Sequence, residues 1–357
     1  MSDTLPGTGL TGFWGSGKTT LLNHLRAQPE LGETAVLINE FGAVGLDHLL
    51  VQHVAEDIVL LQSGCLCCTV RGDMVNALRD LFLKRVKGEV PEFNRVVIET
   101  TGLADPAPII HTLMTDPLLS SRYRLDGIVT TVDAVNGSAT LDNHEEALKQ
   151  TAVADRLLLT KCDIADYTAV EVLHARLKTL NPGARLVRVV NGAVDPADIL
   201  DAGLFNDADK IPDVKKWLNA EAYADLRRER DRKMGIDVDD HSHHHHDVNR
   251  HDGRIQAFVF TRDEPVSWPA LAFTLELLIS QRGENLLRIK GIVNAKESEQ
   301  PLAIHGVQHV FHPPAPLPDW PDSDHNTRIV FITRDIEREV IEGMLNGVLG
   351  LADEKGM

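Results

Sequence analysis

Short apolar runs alternate with amphipathic stretches along the first 205 residues of the chain. The apolar runs predict strands at residues 8–13, 34–39, 57–62, 96–98, 127–133, 155–160 and 185–190. Two of the intervening stretches, residues 17–27 and 71–87, have helical periodicity. Strands that alternate with helices are typical of a mostly parallel sheet with helices on both faces. We therefore expect an α/β domain that binds its ligands at the carboxyl ends of the strands.

The pattern changes after residue 205 and predicts a linker and a second domain. Residues 206–252 are rich in Asp, Lys, Arg and His, with little periodic apolar content, and are interpreted as a charged, His-rich linker. Residues 253–347 predict a smaller α+β domain, and residues 348–357 a tail. In that domain we expect strands near 255–260, 286–294, 303–311 and 327–333, and helices near 267–281 and 335–346.

Composition narrows the class of protein. The 357 residues carry a formal charge of −17, from 53 acidic and 36 basic side chains, which argues against extended binding to nucleic acid or to an anionic membrane. No apolar run approaches the roughly 20 residues that span a bilayer, and the N-terminus lacks a basic segment followed by an apolar one. We therefore expect a cytoplasmic protein.

A phosphate-binding loop is predicted at residues 10–20. The sequence Gly-Phe-Trp-Gly-Ser-Gly-Lys-Thr satisfies the spacing Gly-x4-Gly-Lys-Ser/Thr, and apolar residues follow it as in a helix packed on a sheet. In such a loop Lys18 reaches the outer phosphates and the Thr19 hydroxyl ligates Mg²⁺. The predicted nucleotide ligands here are Gly12, Gly15, Ser16, Gly17, Lys18, Thr19 and Thr20. A glycine-rich turn without a ligand is disfavoured by the Lys-Thr pair.

Glu99 ends a predicted strand within the pattern of three apolar residues, Glu, two residues and Gly102. A carboxylate at this point can lie beside Mg²⁺ and orient a water molecule, so Glu99, Lys18 and Thr19 are the predicted catalytic residues. The alternative is a helix-capping or solvated carboxylate.

The tetrapeptide Thr160-Lys161-Cys162-Asp163 follows another strand and predicts the base that is bound. The Asp163 carboxylate can accept hydrogen bonds from N1–H and the 2-amino group of guanine, whereas adenine has no such amino group. Asn191, in the sequence Asn-Gly-Ala, offers a backbone contact to the guanine oxygen. We therefore expect GTP to be preferred over ATP, with Thr160, Lys161, Asp163 and Asn191 at the base.

Three of the four cysteines, Cys65, Cys67 and Cys68, lie on one predicted turn. Such spacing favours a metal or redox site over a disulfide framework. Their thiolates can bind zinc or a similar ion and leave a coordination position open. Buried structural cysteines and a redox switch are the alternatives. Glu40 is the leading candidate for the fourth ligand. An exposed loop carboxylate and a water ligand on the phosphate side are equally consistent roles for this residue.

A second group of metal-binding side chains is clustered in the linker. It comprises His241, His243, His244, His245 and His246, with aspartates on both sides and His251 beyond. This composition is typical of a flexible metal collector. An internal purification tag and an incidental solvated loop are the alternatives. Isolated histidines such as His305, His309 and His312 are interpreted as ordinary surface or core residues.

Together these motifs resemble the CobW-like GTPases, a branch of the metal-insertion GTPases that includes UreG and HypB. The resemblance rests on the phosphate loop, Asn39-Glu-Phe-Gly, Gly64-Cys-Leu-Cys-Cys, the Glu99 segment, the guanine motif, the His-rich linker and Leu287-Arg-Ile-Lys-Gly-Ile-Val. It implies a P-loop GTPase domain with slow intrinsic hydrolysis, a CobW-type C-terminal α+β domain, and delivery of zinc, or in some members cobalt, to a client. It also implies that Cys65, Cys67 and Cys68 are the metal site.

Three departures from the family pattern limit this comparison. Many members have a second Glu after Asn-Glu-Phe-Gly, where this chain has Ala43, and the guanine motif begins with Thr160 instead of Asn. The chain also starts only a few residues before its first strand, unlike members with an N-terminal extension that grips an aminopeptidase client. The identity of the client protein is therefore left open, and so is assembly into a homo-oligomer.

Two hypotheses of function are consistent with the sequence. The first is a GTP-dependent metallochaperone that uses GTP, Mg²⁺ and Zn²⁺ or Co²⁺ and passes its metal to a client protein. The second is a GTP-binding protein that senses or stores metal without transferring it. A small-molecule kinase is disfavoured by the guanine motif and the cysteine turn.

Overall fold

The structure, a computed structural model, describes residues 4–39, 60–62, 70–200, 202, 218 and 254–354. The chain divides into two compact units, one of residues 1–175 with 184–210 and one of residues 176–183 with 211–357. Glu40, the three clustered cysteines and the histidines of the linker lie outside the described residues.

In the described part of the first unit, seven parallel strands form one sheet. These are β1 Leu5–Gly12, β2 Thr34–Asn39, β3 Leu60–Gln62, β4 Arg95–Thr100, β5 Tyr123–Asp133, β6 Arg156–Thr160 and β7 Arg185–Arg188. Their order across the sheet is β3-β2-β4-β1-β5-β6-β7, and every neighbouring pair is parallel. The predicted α/β fold class is thus confirmed.

Helices cover both faces of this sheet. The described helices are α1 Lys18–Arg26, α2 Val70–Lys87, α3 Ala107–Thr115, α4 Pro117–Ser120, α5 Gly137–Asn143, α6 Glu145–Val153 and α7 Tyr167–Leu180. Alternate residues of a strand point to opposite faces, and in β4 Val97 joins the core beneath α1 whereas Ile98 joins the core beneath α2 and α3. The strand runs are apolar throughout because both faces are buried.

The first strand is longer than predicted. It begins at Leu5, three residues before the predicted start, and all eight of its residues are buried. Gly7 and Gly9 weaken its strand propensity, but β1 lies between β4 and β5, where ladder hydrogen bonds on both sides override propensity. Gly9 is also needed for packing, because a Cβ there would lie 2.6 Å from Ile128 Cδ1.

Within residues 254–354, the second unit packs two helices on an antiparallel sheet. Its strands are β8 Ile255–Arg262, β9 Leu286–Val293, β10 Leu302–Val307, β11 Val310–Phe311, β12 Ala315–Pro316 and β13 Thr327–Arg334. The helices are α8 Trp268–Arg282 and α9 Arg338–Glu354. The sheet order is β11-β10-β9-β13-β8, with β12 paired to β10. One apolar core joins this sheet to α8 and α9.

The prediction of one strand over residues 303–311 was wrong. The chain turns at Gln308 and His309, so that Val307 pairs with Val310 in a hairpin. Gln308 has a φ of 51°, a left-handed conformation that a continuous strand does not contain. Alternating apolar residues on both sides of the turn conceal it in the sequence.

Among the described residues, no helix combines the length and the apolar character needed to cross a bilayer.

Candidate functional site

The phosphate loop is a tight turn between β1 and α1. Its glycines Gly12, Gly15 and Gly17 have φ values of 143°, 70° and 94°, which L-residues with a Cβ rarely adopt. At Gly12 the space is also missing, because a Cβ would lie 2.2 Å from Thr131 Oγ1. The glycines therefore allow the path of this loop, whose backbone leads into the positive N-terminal end of α1.

Lys18 is held over this loop by the loop itself. Its side chain is buried, and Nζ donates hydrogen bonds to the carbonyl oxygens of Gly12 at 2.9 Å and Phe13 at 3.3 Å. Thr19 and Thr20 follow it in the first turn of α1. The ammonium group and the free amides of a helix N-terminus together form an anion-binding site.

Side chains from distant strands support the same loop. Ser16 Oγ and Thr131 Oγ1 share a hydrogen bond of 2.7 Å, and Thr160 Oγ1 donates to the Ser16 carbonyl at 2.7 Å. The Phe13 ring packs against His144 with centroids 4.3 Å apart. Thr160, which stands where the guanine motif of the resembled family begins with Asn, thus contacts the phosphate loop through its hydroxyl group.

The carboxyl ends of four strands form a row beside the loop. Glu99 near the end of β4 is buried and pairs in register with Leu10 of β1 on one side and Ile38 of β2 on the other. Ile38 in turn pairs with Gln62 of β3. Neighbouring strands lie about 4.8 Å apart, so the row from β3 to β1 spans about 14 Å. Glu40 follows β2 closely in sequence, and Cys65 follows β3.

The predicted base-binding residues lie at the other end of the sheet. Lys161 follows β6 with a φ of 58° and its Nζ donates to Asp133 Oδ2 at 2.8 Å, while Asp163 is exposed. Asn191 has a φ of 51°, and a Cβ on the next residue, Gly192, would lie 2.8 Å from the Thr20 carbonyl oxygen. The turn at Asn191 therefore contacts the start of α1.

Asp133 is a site residue that the sequence analysis missed. Burial raises the pKa of its carboxyl group, but hydrogen bonds from Lys161, Asn136 and the Val135 amide outweigh burial and lower the pKa below its ordinary value. The carboxylate is therefore charged at neutral pH and orients the Lys161 side chain next to the base-reading position. The only signal for Asp133 in the sequence was the presence of an Asp at the end of a predicted strand.

Metal-ligating side chains do not converge within the described part of the chain. No group of three or more His, Cys, Asp or Glu side chains there is arranged to hold a metal ion. In the second unit the His305 and His312 rings stack with centroids 4.9 Å apart, and burial together with nearby Arg288 lowers the pKa of His312 to about 4. This pair is neutral at physiological pH.

Comparison with known proteins identifies the family. Residues 6–188 match the family described as "CobW/HypB/UreG, nucleotide-binding domain". Residues 255–349 match the "Cobalamin synthesis protein cobW C-terminal domain".

Two curated relatives match over most of their length. The zinc chaperone YjiA of Escherichia coli strain K12 is 32% identical over 339 residues, which cover 95% of this chain and 97% of the relative. The zinc-regulated GTPase metalloprotein activator 1 of Schizosaccharomyces pombe is 31% identical over 360 residues, which cover 94% and 84%.

A solved structure aligns with nearly the whole chain. The crystal structure of Zn(II)-bound YjiA GTPase from E. coli aligns with a TM-score of 0.68 at 28% identity, over 97% of this chain and 99% of that one. With the two family matches, this likeness confirms the resemblance that the motifs indicated. The chain therefore belongs to the CobW/HypB/UreG family, and its nucleotide-binding domain is a P-loop GTPase domain.

Proposed function

We propose that the protein is a GTP-gated metallochaperone that binds zinc, or cobalt, at Cys65, Cys67 and Cys68 and passes it to a client metalloprotein in the cytoplasm. The observation that carries this proposal is the row of strand ends β3-β2-β4-β1. In this row β2, which precedes Glu40 in the sequence, ends beside Glu99, and β3, which precedes the cysteines, ends beside β2. Relatives that match over nearly the full length of this chain are named zinc chaperones and support the same function.

The residues at the phosphate loop fit a magnesium–GTP complex. The Thr19 hydroxyl and the Glu99 carboxylate are oxygen donors, which are the ligands Mg²⁺ prefers, and they would hold the ion. When bound, Mg²⁺ neutralises charge that develops on the phosphates. Lys18 binds the outer phosphates, Glu99 orients the attacking water, and Asp163 selects guanine, with Thr160, Lys161 and Asn191 around the base.

In this proposal the bound nucleotide controls metal binding because the nucleotide site and the metal site lie close together. GTP orders the segment that begins at Asn39 against the cysteine turn, so that Glu40 and the three thiolates form one tight site. Hydrolysis releases this segment and opens the metal to the client. The histidines at 241–246 act as a secondary collector. A tenfold gain in metal affinity requires about 1.4 kcal/mol of coupling.

A zinc titration tests the proposal. Zinc is titrated anaerobically against a chromophoric chelator, with GDP or with a non-hydrolysable GTP analogue. We expect the analogue to tighten one site at least about tenfold. The affinity for zinc should also rise with pH, because a free cysteine has a pKa of about 8.5 and must lose its proton to bind the metal.

Two variants serve as controls for this titration. The variant in which Cys65, Cys67 and Cys68 are all replaced by Ser should lose the gated site, whereas deletion of residues 241–246 should retain it. Equal affinity in the two nucleotide states would refute gating. Zinc binding that survives the triple substitution but not the deletion would show that the histidines at 241–246, and not the cysteines, bind the zinc. In that case, the storage hypothesis would replace the chaperone.

A further inference from the structure

The connection that follows Glu99 is packed directly on the phosphate loop. Gly102, three residues after Glu99, lies against Trp14, and a Cβ at Gly102 would come within 1.7 Å of Trp14 Cδ1 and 2.6 Å of the Trp14 backbone nitrogen. No side chain can be accommodated at this contact. One side of the turn is therefore fixed by the loop that binds phosphate.

The other side of this turn is held by one side chain from α6. Gln150 is 1% exposed, and its Nε2 donates hydrogen bonds to the carbonyl oxygens of Gly102 at 3.1 Å and Ala104 at 3.0 Å. An amide NH₂ has two hydrogens, and both are used on this one turn. Reversing the amide would place its oxygen against two carbonyl oxygens, so its orientation is determined.

Gln150 is itself anchored to the central sheet. Thr130 Oγ1 of β5 donates to the Gln150 carbonyl oxygen at 2.8 Å, so that α6 is tied to the strand next to β1. A cavity of about 290 Å³ lies beside it, lined by Trp14, Thr131 and Gln150 among others.

From these contacts we infer that Gln150 is a positioning residue for GTP hydrolysis. It holds the turn at Gly102 and Ala104 against Trp14 and thereby fixes the backbone that follows Glu99. This inference rests on the role proposed above for Glu99. A displacement of about 1 Å at a reacting group can lower a rate about 100-fold, so a hydrogen-bonded clamp at this turn affects the chemical step more than substrate binding.

Steady-state GTP hydrolysis by the full chain tests this inference. In Gln150→Met, which keeps the length of the side chain and removes both donors, we expect kcat to fall at least about tenfold, or about 1.4 kcal/mol. The KM for GTP should change less than about threefold, because phosphate and base contacts are unaffected. Thr151→Val is the matched control, since Thr151 is also buried on α6 but its hydroxyl donates to Ala147 of the same helix, at 2.8 Å.

The charge variant Gln150→Glu supplies a readout that general destabilisation does not produce. A protonated carboxyl group can donate one hydrogen bond to the turn, whereas a carboxylate would face two carbonyl oxygens. Burial and those oxygens raise the pKa of such a carboxyl group. The ratio of the variant's kcat to that of the unsubstituted protein should therefore fall as pH rises from about 5.5 to about 8.5.

The outcomes separate this inference from the proposed role of Glu99. If Gln150→Met hydrolyses GTP at the unsubstituted rate while Glu99→Ala is slow, Gln150 has no positioning role. A Glu99→Ala variant of unchanged rate would instead overturn the role of Glu99. The inference also fails if Thr151→Val loses as much kcat as Gln150→Met, or if the Gln150→Glu ratio is independent of pH.

Discussion

At the scale of single residues, the phosphate loop depends on hydroxyl groups that no motif includes. Its glycines and Lys18 follow from their spacing, and the structure has them in the conformations that the motif requires. Thr131 is 115 residues away from Ser16, with which it shares a hydrogen bond, and nothing in the neighbouring sequence marks it. Such partners become visible only when the sheet aligns the strand ends.

Thr160 offers a residue-scale prediction. Thr160→Val removes the donor to the buried Ser16 carbonyl and leaves that acceptor unsatisfied, which costs about 1–3 kcal/mol. Because the strain falls on the phosphate loop, we expect GDP and GTP affinity to weaken at least about fivefold, measured with fluorescent nucleotide analogues. Thr160→Ser keeps the hydroxyl group and should bind normally. Weakening in Thr160→Ser but not in Thr160→Val would show that the methyl group, not the hydrogen bond, matters.

At the scale of elements, strand identity was easier to predict than strand length. Apolar runs indicated all seven strands of the first sheet, but β1 and β5 both begin earlier than their patterns predict. The extra residues at the start of β5 include Arg124 and Asp126, which propensity assigns to a loop. Asp126 is nevertheless fully buried because Arg95 of β4, which lies on the other side of β1, supplies its counter-ion.

That ion pair ties three central strands together. Asp126 Oδ2 of β5 accepts hydrogen bonds from Arg95 Nη1 of β4 at 2.6 Å and from Thr8 Oγ1 of β1 at 3.0 Å. Removal of one side chain of this ion pair leaves the opposite charge uncompensated in a buried environment.

We therefore expect Asp126→Ala to lower the free energy of unfolding by about 3–5 kcal/mol, measured by urea denaturation. The Glu171–Arg188 pair is the matched control, because its atoms are also 2.6 Å apart but both side chains are more than 40% exposed. Glu171→Ala should change stability little, since water screens an exposed pair. A similar loss in the two variants would mean that burial does not decide the strength of these pairs.

At the scale of the whole molecule, the proposed gating makes a reciprocal prediction. If the GTP analogue tightens zinc binding by some factor, zinc must tighten binding of the analogue by the same factor. We expect this factor to be at least about tenfold, and to be close to one for GDP. The measurement is nucleotide affinity with and without saturating zinc.

The variant with Ser at the three clustered cysteines is the control for this reciprocity. Its nucleotide affinity should be independent of zinc, because the gated site is absent. A zinc effect that persists in this variant would assign the coupling to other ligands, the histidines at 241–246 first among them.

The sequence by itself determined the class of domain, the phosphate loop and the family, because these depend on local spacing and on periodic burial. Left-handed glycines, a Lys after the last of them and apolar runs act within a few residues of one another. Strand order, the hairpin at Gln308, the Asp126 ion pair and the Gln150 clamp were decided only by the tertiary structure. The strand order, the ion pair and the clamp join residues far apart in the chain, and only the packed sheet selects which distant strand ends and side chains meet. The hairpin pairs nearby residues, but the alternating pattern on both sides of its turn conceals it in the sequence.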